Sequence, residues 1–129
     1  LGQYGEALRH CEHALELHRE SGSRTGAADT LDSIAFVYEQ LGDTEQALAH
    51  YLEALDIYRN IGDPDGESRG LIMLGDVQFA AGQRSAAEHS WQQAAAALSR
   101  VGGDTAQVRE RLGKLAAAGT TGAGTAMSA

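Results

Sequence analysis

The residues best suited to bind a metal ion lie near the start of the chain, where histidines flank the single cysteine. His10 and His13 are three residues apart and share one face of a helix, with Cys11 between them. A zinc site needs a further ligand nearby, and the nearest candidate is Glu6. Cys11 falls at an apolar packing position, where a free cysteine acts as a small hydrophobe. We therefore expect surface histidines, His18 included, and predict no metal and no other cofactor.

Three carboxylates could act as general acids or bases if they lay together in one cleft: Asp32, Glu39 and Asp76. Such catalysis needs a dry site that raises the pKa of one carboxyl, and a wide solvated groove does not provide it. The glycines form no phosphate-binding loop, because they recur where helices end. The sequence therefore predicts no catalytic residues and a protein that is not an enzyme.

The composition predicts one acidic domain. The 129 residues carry a formal net charge of −8, with 43% hydrophobic but only 5% aromatic residues and one proline. Phosphate backbones are bound mainly by Lys and Arg, so we expect no direct contact with nucleic acid. No run approaches the roughly 18 apolar residues of a membrane helix, and no signal peptide is visible. The single cysteine fits a reducing compartment, so we expect a cytoplasmic protein.

Glycine and alanine recur every forty residues and define an internal repeat. Residues 1–40, 41–80 and 81–120 align without a gap. Apolar residues within each unit follow a 3.6-residue period, which is typical of amphipathic helices. Small residues let neighbouring helix axes approach, and larger ones fill the remaining space. The aligned sets are Gly2, Gly42 and Gly82; Gly22, Gly62 and Gly102; Ala7, Ala47 and Ala87; Ala14, Ala54 and Ala94; and Cys11, Tyr51 and Trp91.

The glycines and the polar residues beyond them predict where six helices begin and end. The helices are predicted over residues 3–20, 24–41, 44–61, 64–81, 84–101 and 104–117. Capping residues are expected before three of them, namely Asp43 with Gln46, Asp63 with Pro64, and Asp104 with Gln107. Residues 118–129 lack charge and periodicity, so they are predicted to form a disordered tail.

The repeated pattern resembles the tetratricopeptide repeat (TPR). The residues that match its consensus are Leu31, Ile34, Ala35, Tyr38, Ala47, Tyr51 and Ala54, and then Leu71, Leu74, Gly75, Ala87, Trp91 and Ala94. The unit of 40 residues is similar to the longer repeats of kinesin light chains and bacterial peptide-pheromone sensors. The resemblance implies an all-α, right-handed solenoid over residues 1–117. Its predicted parts are the second helix of a truncated repeat (1–22), two full repeats (23–62 and 63–102) and a capping helix (103–117).

A narrower resemblance concerns the parent protein. The segments 41–59 and 74–76 resemble the C-terminal repeats of large actinobacterial transcriptional regulators of the SARP type. Lys114 is the only lysine among ten basic residues, which is typical of a GC-rich genome. The chain begins with Leu1 inside the periodic pattern, so we interpret it as a piece of a longer protein. This resemblance implies a regulatory or effector-sensing part of a transcriptional regulator or signalling ATPase.

The TPR resemblance implies that a peptide or protein binds in a concave groove lined by the first helix of each repeat. The candidate groove residues, which lie away from the packing stripes, are Asp32, Phe36, Glu39, Arg69, Ile72, Asp76 and Phe79. Exposed Phe beside carboxylates suits a partner with an apolar anchor and basic residues. The Lys and Asn with which chaperone-binding members hold a peptide carboxylate are absent, so capture of a C-terminus is not expected.

Two alternatives stay open at the level of the sequence. Phe36 and Phe79 could pack between adjacent helices instead of facing a groove. Helix 3–20 is a second helix without its first-helix partner, so its apolar stripe could mediate self-association of the parent protein. That stripe consists of Tyr4, Ala7, Leu8, Cys11, Ala14 and Leu15.

Overall fold

The computed structural model describes the backbone of residues 2–128 and the side chains of residues 2–118. The described residues form six α-helices with short connections and include no β-strand. The first five helices lie within one residue of their predicted bounds. The helices are α1 (Gly2–Ser21), α2 (Arg24–Gln40), α3 (Thr44–Ile61), α4 (Pro64–Ala80), α5 (Arg84–Arg100) and α6 (Ala106–Ser128).

Glycines in the left-handed backbone region end the helices, as predicted. Their φ angles lie between 67° and 81°, a region that residues with a Cβ avoid. After α2, the N–H of Gly42 donates to the carbonyl of Glu39, and the N–H of Asp43 donates to that of Tyr38 at 2.9 Å. These bonds satisfy carbonyls that the helix end leaves without partners. The glycines with positive φ are Gly22, Gly42, Gly62, Gly82 and Gly102.

Side-chain caps begin two of the helices where the sequence places them. The Asp43 carboxylate accepts from the N–H of Gln46 at 3.2 Å, and that of Asp63 accepts from Gly66 at 3.0 Å. The predicted start of the last helix at residue 104 is wrong. The Asp104 carboxylate accepts from the N–H of Ala106 at 2.9 Å, which closes a turn before α6 begins.

The last helix is also longer than predicted. We expected the capping helix to end at residue 117, whereas α6 continues to Ser128. Residues 116–118 are alanines, which are the strongest helix formers, and no proline follows them. The prediction of a tail over 118–129 concerns residues whose side chains, from 119 onward, lie outside the described part of the structure.

Each helix packs against its neighbours in the chain, so the hairpins α2–α3 and α4–α5 stack in sequence order. Small residues face large rings between the two helices of each hairpin. Ala35 and Tyr51 share one core cluster, and the Trp91 indole lies so close to Gly75 that a Cβ there would approach it to 2.4 Å. The larger ring therefore faces the smaller residue, which keeps the interface filled.

Candidate functional site

The first helices of successive hairpins, α2, α4 and α6, form one side of the stack, which we call the A face. Two ion pairs connect these helices. Arg69 Nη2 of α4 lies 3.4 Å from Asp29 Oδ1 of α2. Arg111 of α6 binds Asp76 of α4 through two hydrogen bonds, Nε–Oδ1 at 2.7 Å and Nη2–Oδ2 at 3.1 Å. Charged side chains of the A face are therefore partly used to hold neighbouring hairpins together.

One open groove on the A face, which we call the α1–α2 groove, measures about 740 Å³. It is bounded by α1, α2 and the start of α4. One wall is apolar and includes Phe36, which is 48% exposed, so Phe36 does not fill a space between helices. Two carboxylates lie on the same surface. The lining residues are Tyr4, Ala7, Cys11, Asp29, Asp32, Ser33, Phe36, Val37, Arg69 and Met73.

Asp32 is the buried carboxylate of this groove, with only 7% of the residue exposed. Its Oδ2 accepts a hydrogen bond from the Tyr58 hydroxyl at 3.1 Å. Among the described residues its Oδ1 has no hydrogen-bond partner. Burial raises the pKa of Asp32 to about 6, although the Tyr58 hydrogen bond and the charge of Arg69 oppose that rise. A buried carboxylate oxygen without a hydrogen bond costs free energy when the group is charged, which agrees with the raised pKa.

Asp29 and Arg69 form the charged rim beside Asp32. The single Tyr58 hydroxyl proton lies within hydrogen-bond distance of two acceptors, Asp29 Oδ1 at 2.5 Å and Asp32 Oδ2 at 3.1 Å. The Arg69 guanidinium lies 5.7 Å from the centre of the Tyr58 ring and donates to its hydroxyl at 3.2 Å. Burial and the hydrogen bond to Asp29 raise the pKa of Tyr58, and the Tyr58 contact raises that of Arg69. The network therefore keeps Tyr58 protonated and Arg69 charged.

A second depression, the α4–α6 cleft, is smaller, at about 250 Å³. Phe79 is 43% exposed, and its ring centre lies 5.7 Å from that of Trp91. The Asp76 hydrogen bonds raise the pKa of Arg111. Because Arg111 already neutralises Asp76, the cleft offers a partner mainly apolar surface. Its lining residues are Asp76, Phe79, Trp91, Arg111, Lys114 and Leu115.

The seven groove residues suggested by the sequence do not form one continuous site. Asp32, Phe36 and Arg69 line the α1–α2 groove. Asp76 and Phe79 line the α4–α6 cleft. Arg69 also borders a third depression of about 320 Å³, which Ile72 lines as well. Glu39 accepts a hydrogen bond from the Tyr51 hydroxyl at 3.0 Å.

Several residues that shape these surfaces were missed by the sequence reasoning. One is Asp29, which pairs with the predicted groove residue Arg69. The two occupy the same repeat column with opposite charges, a signal that could have indicated the ion pair. Tyr58 occupies the same repeat column as His18. Nothing in the sequence around it indicates its hydrogen bonds to the two aspartates. The groove wall contributed by α1, namely Tyr4, Ala7 and Cys11, was assigned only to self-association.

The N-terminal histidines do not assemble a metal site. Within the described residues, no group of three or more His, Cys, Asp or Glu side chains is placed to hold a metal ion. Burial raises the pKa of the Cys11 thiol, with Glu12 adding to that effect. Among the helices that the structure describes, none combines the length and apolar character that crossing a membrane requires.

The family model described as "Tetratricopeptide repeat" matches residues 1–60 and 26–100. The matches together cover well over half of the chain. The chain therefore belongs to the tetratricopeptide repeat family, and the family prediction is confirmed. Helical repeats of this type are protein-interaction modules and are generally non-catalytic.

Curated relatives include the photosystem I assembly protein Ycf3 from two Synechococcus strains. The protein of strain CC9605 is 33% identical over 97 residues, and that of Synechococcus elongatus is 35% identical over the same length. Each alignment covers 73% of this chain and 53% of the relative. The chain thus spans about half the length of the curated relatives it matches.

Solved structures with the same architecture include BtubC (BKLC) from P. vanneervenii and the apo form of RapI. BtubC has a TM-score of 0.80 at 21% identity, covering 92% of this chain and 51% of its own. RapI has a TM-score of 0.70 at 20% identity, covering 77% of this chain and 36% of its own. At these identities the likeness supports the fold alone. It confirms the prediction of an all-helical solenoid of TPR hairpins.

Proposed function

We propose that the α1–α2 groove binds a protein or peptide partner that presents an apolar anchor together with a basic side chain. The observation that carries this proposal is the juxtaposition of two groups in one cavity. Phe36 offers an exposed ring, and the carboxylates of Asp29 and Asp32 line the same cavity. An aromatic anchor site beside a carboxylate favours such a ligand through burial and charge complementarity.

The α1–α2 groove is a better candidate than the α4–α6 cleft. Arg111 occupies both carboxylate oxygens of Asp76, so a basic ligand would have to displace an existing bidentate pair. Phe79 packs near Trp91, whereas Phe36 faces the larger cavity. Under this proposal the cleft contributes secondary apolar contacts to an extended partner.

A displayed library of random peptides tests the proposal. The purified chain is expected to enrich peptides that combine an apolar and a basic residue. Phe36→Ser and Asp32→Asn should each lose those peptides, while Leu52→Ser, at an exposed position outside the groove, should retain them. Circular dichroism shows whether each variant keeps its helices. Peptides that bind the Phe36→Ser protein as well as the original would refute the groove assignment.

The proposed biological setting is the regulatory or effector-sensing part of a larger bacterial transcriptional regulator or signalling ATPase in the cytoplasm. The 40-residue period, the preference for Arg over Lys and the free Cys11 support this setting. Relatives named as assembly proteins agree with a module that binds other proteins. In the full-length parent protein, Phe36→Ser should change the regulated output, whereas Leu52→Ser, at an exposed position outside the groove, should leave it unchanged. An unchanged output would refute this setting.

A second candidate function is self-association through α1. Only Leu15 is buried among the described residues of α1, so the stripe that includes Tyr4 and Cys11 stays accessible. Light scattering over a wide range of protein concentrations tests this function. A mass that rises with concentration, and that Tyr4→Asp keeps at the monomer value, would support it. A strict monomer would exclude it.

A further inference from the structure

Phe79 provides the exposed ring of the α4–α6 cleft, away from α1. The residue is 43% exposed and lies beside the buried Trp91, with the two ring centres 5.7 Å apart. The cleft measures about 250 Å³, which is smaller than the roughly 300–1,000 Å³ of sites that enclose a small molecule. A cleft of this size fits one apolar side chain of a protein segment, with Phe79 as one wall.

An exposed carboxylate lies on the α2 side of Phe79. Glu39 and Phe79 share a repeat column, and residues of one column lie beside each other in adjacent first helices, as the ion pair between α2 and α4 shows. The Tyr51 hydroxyl donates to Glu39 at 3.0 Å. Burial raises the pKa of Tyr51, and the charges of Glu39 and Asp76 add to that rise. Both acids therefore lie around one hydroxyl, and Glu39 remains exposed.

A basic side chain lies on the α6 side of Phe79. Lys114 lines the cleft, and its side chain is 76% exposed. It forms an ion pair with Glu110, which lies 3.2 Å away and one turn earlier in α6. Because an exposed pair of this spacing is weak, a carboxylate of a partner can compete with Glu110 for the ammonium group. Arg111, by contrast, already holds both oxygens of Asp76.

We infer that the α4–α6 cleft binds an apolar side chain of a partner protein segment that carries a basic residue toward α2 and an acidic residue toward α6. Charge complementarity supports this occupant, because the exposed carboxylate and the exposed ammonium group lie on opposite sides of Phe79. The repeat units have the same order of charge, with seven acids and three bases in residues 1–40 but three acids and five bases in residues 81–120. The inference goes beyond the proposed function, because neither Phe36 nor Asp32 lines this cleft.

The distance between helices sets the spacing of the charges in the partner segment. Packed helix axes lie about 8–10 Å apart. An extended chain of polyproline II geometry advances about 3.1 Å per residue and returns to the same face at every third residue. Each charged residue therefore lies three positions from the apolar one. The matching probe is a capped peptide of arginine, two serines, leucine, two serines and glutamate, in that order.

Titration of this mixed-charge peptide into the isotope-labelled full chain tests the inference by nuclear magnetic resonance. The indole N–H signal of Trp91 reports binding, because Trp91 is the single tryptophan of the chain and lines the cleft. Two control peptides carry arginine at both charged positions or glutamate at both. The mixed-charge peptide should bind roughly fivefold more tightly than either control, since each control replaces one exposed attraction by a repulsion.

Four protein variants assign the contacts. Lys114→Gln should remove the preference over the two-arginine peptide, whereas Arg109→Gln, at an exposed position of α6 that does not line the cleft, should keep it. Glu39→Gln should remove the preference over the two-glutamate peptide. Phe79→Ser should abolish binding of the mixed-charge peptide, and circular dichroism shows whether each variant keeps its helices.

Three results would overturn the inference: equal affinity of the three peptides, no shift of the Trp91 signal with any of them, or a folded Lys114→Gln protein that keeps the full preference. A second copy of the chain is the other occupant that the experiment detects. A Trp91 signal that shifts with the concentration of the protein alone would show that a second copy fills the cleft, and the assignment to a separate partner would then be wrong.

Discussion

The buried carboxyl of Asp32 makes a specific contribution to the pH dependence of stability. Burial raises its pKa from 3.8 to about 6 in the folded protein. The groups that face it are Asp29 on α2, Tyr58 from α3, Arg69 from α4 and the Cys11 thiol of α1, which lines the same groove. Replacement of Asp32 by Asn removes the titration and preserves the side-chain shape.

The sign follows from the proton balance. Between pH 3.8 and about 6 the folded state binds more protons at Asp32 than the unfolded state does. The contribution of Asp32 to the free energy of unfolding therefore falls as the pH rises through this window. The full pKa difference of about two units corresponds to roughly 3 kcal/mol. Between pH 5.0 and 7.5 alone, the expected change is about 1.4 kcal/mol, because the folded state loses most of its extra proton there.

Urea unfolding followed by circular dichroism measures the effect. The stability of Asp32→Asn relative to the original chain should rise by about 1.4 kcal/mol when the pH is raised from 5.0 to 7.5. Other carboxylates act on both proteins and cancel in this difference. Asp56→Asn, at an exposed position on α3, controls for the loss of one negative charge. A difference between the Asp32 variant and the original that does not change with pH would refute the buried, unpartnered carboxylate.

Three further experiments test the packing of the core, the cap of α4 and one ion pair. Gly75→Ala would place a Cβ against the indole of the single tryptophan and should lower the free energy of unfolding by roughly 1–3 kcal/mol. Gly113→Ala, with open space around it, should instead raise the free energy of unfolding by about 0.5–1 kcal/mol. Thermal unfolding measures both changes. Asp63→Ala removes the cap of α4 and should lower the free energy of unfolding by about 1 kcal/mol in urea; an unchanged midpoint would refute the cap. A double-mutant cycle on Asp76 and Arg111 should give a coupling of at most about 1 kcal/mol, which high salt reduces, because the pair is partly exposed.

The fold could be predicted from the sequence because its determinants are local and repeated. A glycine that ends a helix, as at Gly42, and a carboxylate that begins the next, as at Asp43, act within a few residues of each other. The same residues recur with the same spacing in each unit, so a helix boundary that is ambiguous in one unit can be assigned from the next. The prediction failed at both ends of α6, where Asp104 forms a different turn and the following alanines extend the helix.

The candidate site could be predicted less well because it depends on contacts between distant units. The helical period places Asp32 on the A face, but its burial depends on Tyr58, which is 26 residues away. Asp76 and Arg111 have no shared column or local spacing that marks them as partners, although they pair closely in space. Periodicity gives the direction in which a side chain points. It does not give the partner that the side chain meets there.

The charges of the A face follow from the stacking of the hairpins. Residues in one repeat column lie beside each other in adjacent first helices, so opposite charges in a column form an ion pair, as Asp29 and Arg69 do. Such a pair balances the charge of one first helix against the charge of the next. Asp32 has Ile72 as its column neighbour and receives no charge from that position. Its Oδ1 is buried and has no hydrogen-bond partner among the described residues. A charged residue whose column neighbour is apolar must therefore find its partner outside the column, as Asp32 does in the Tyr58 hydroxyl.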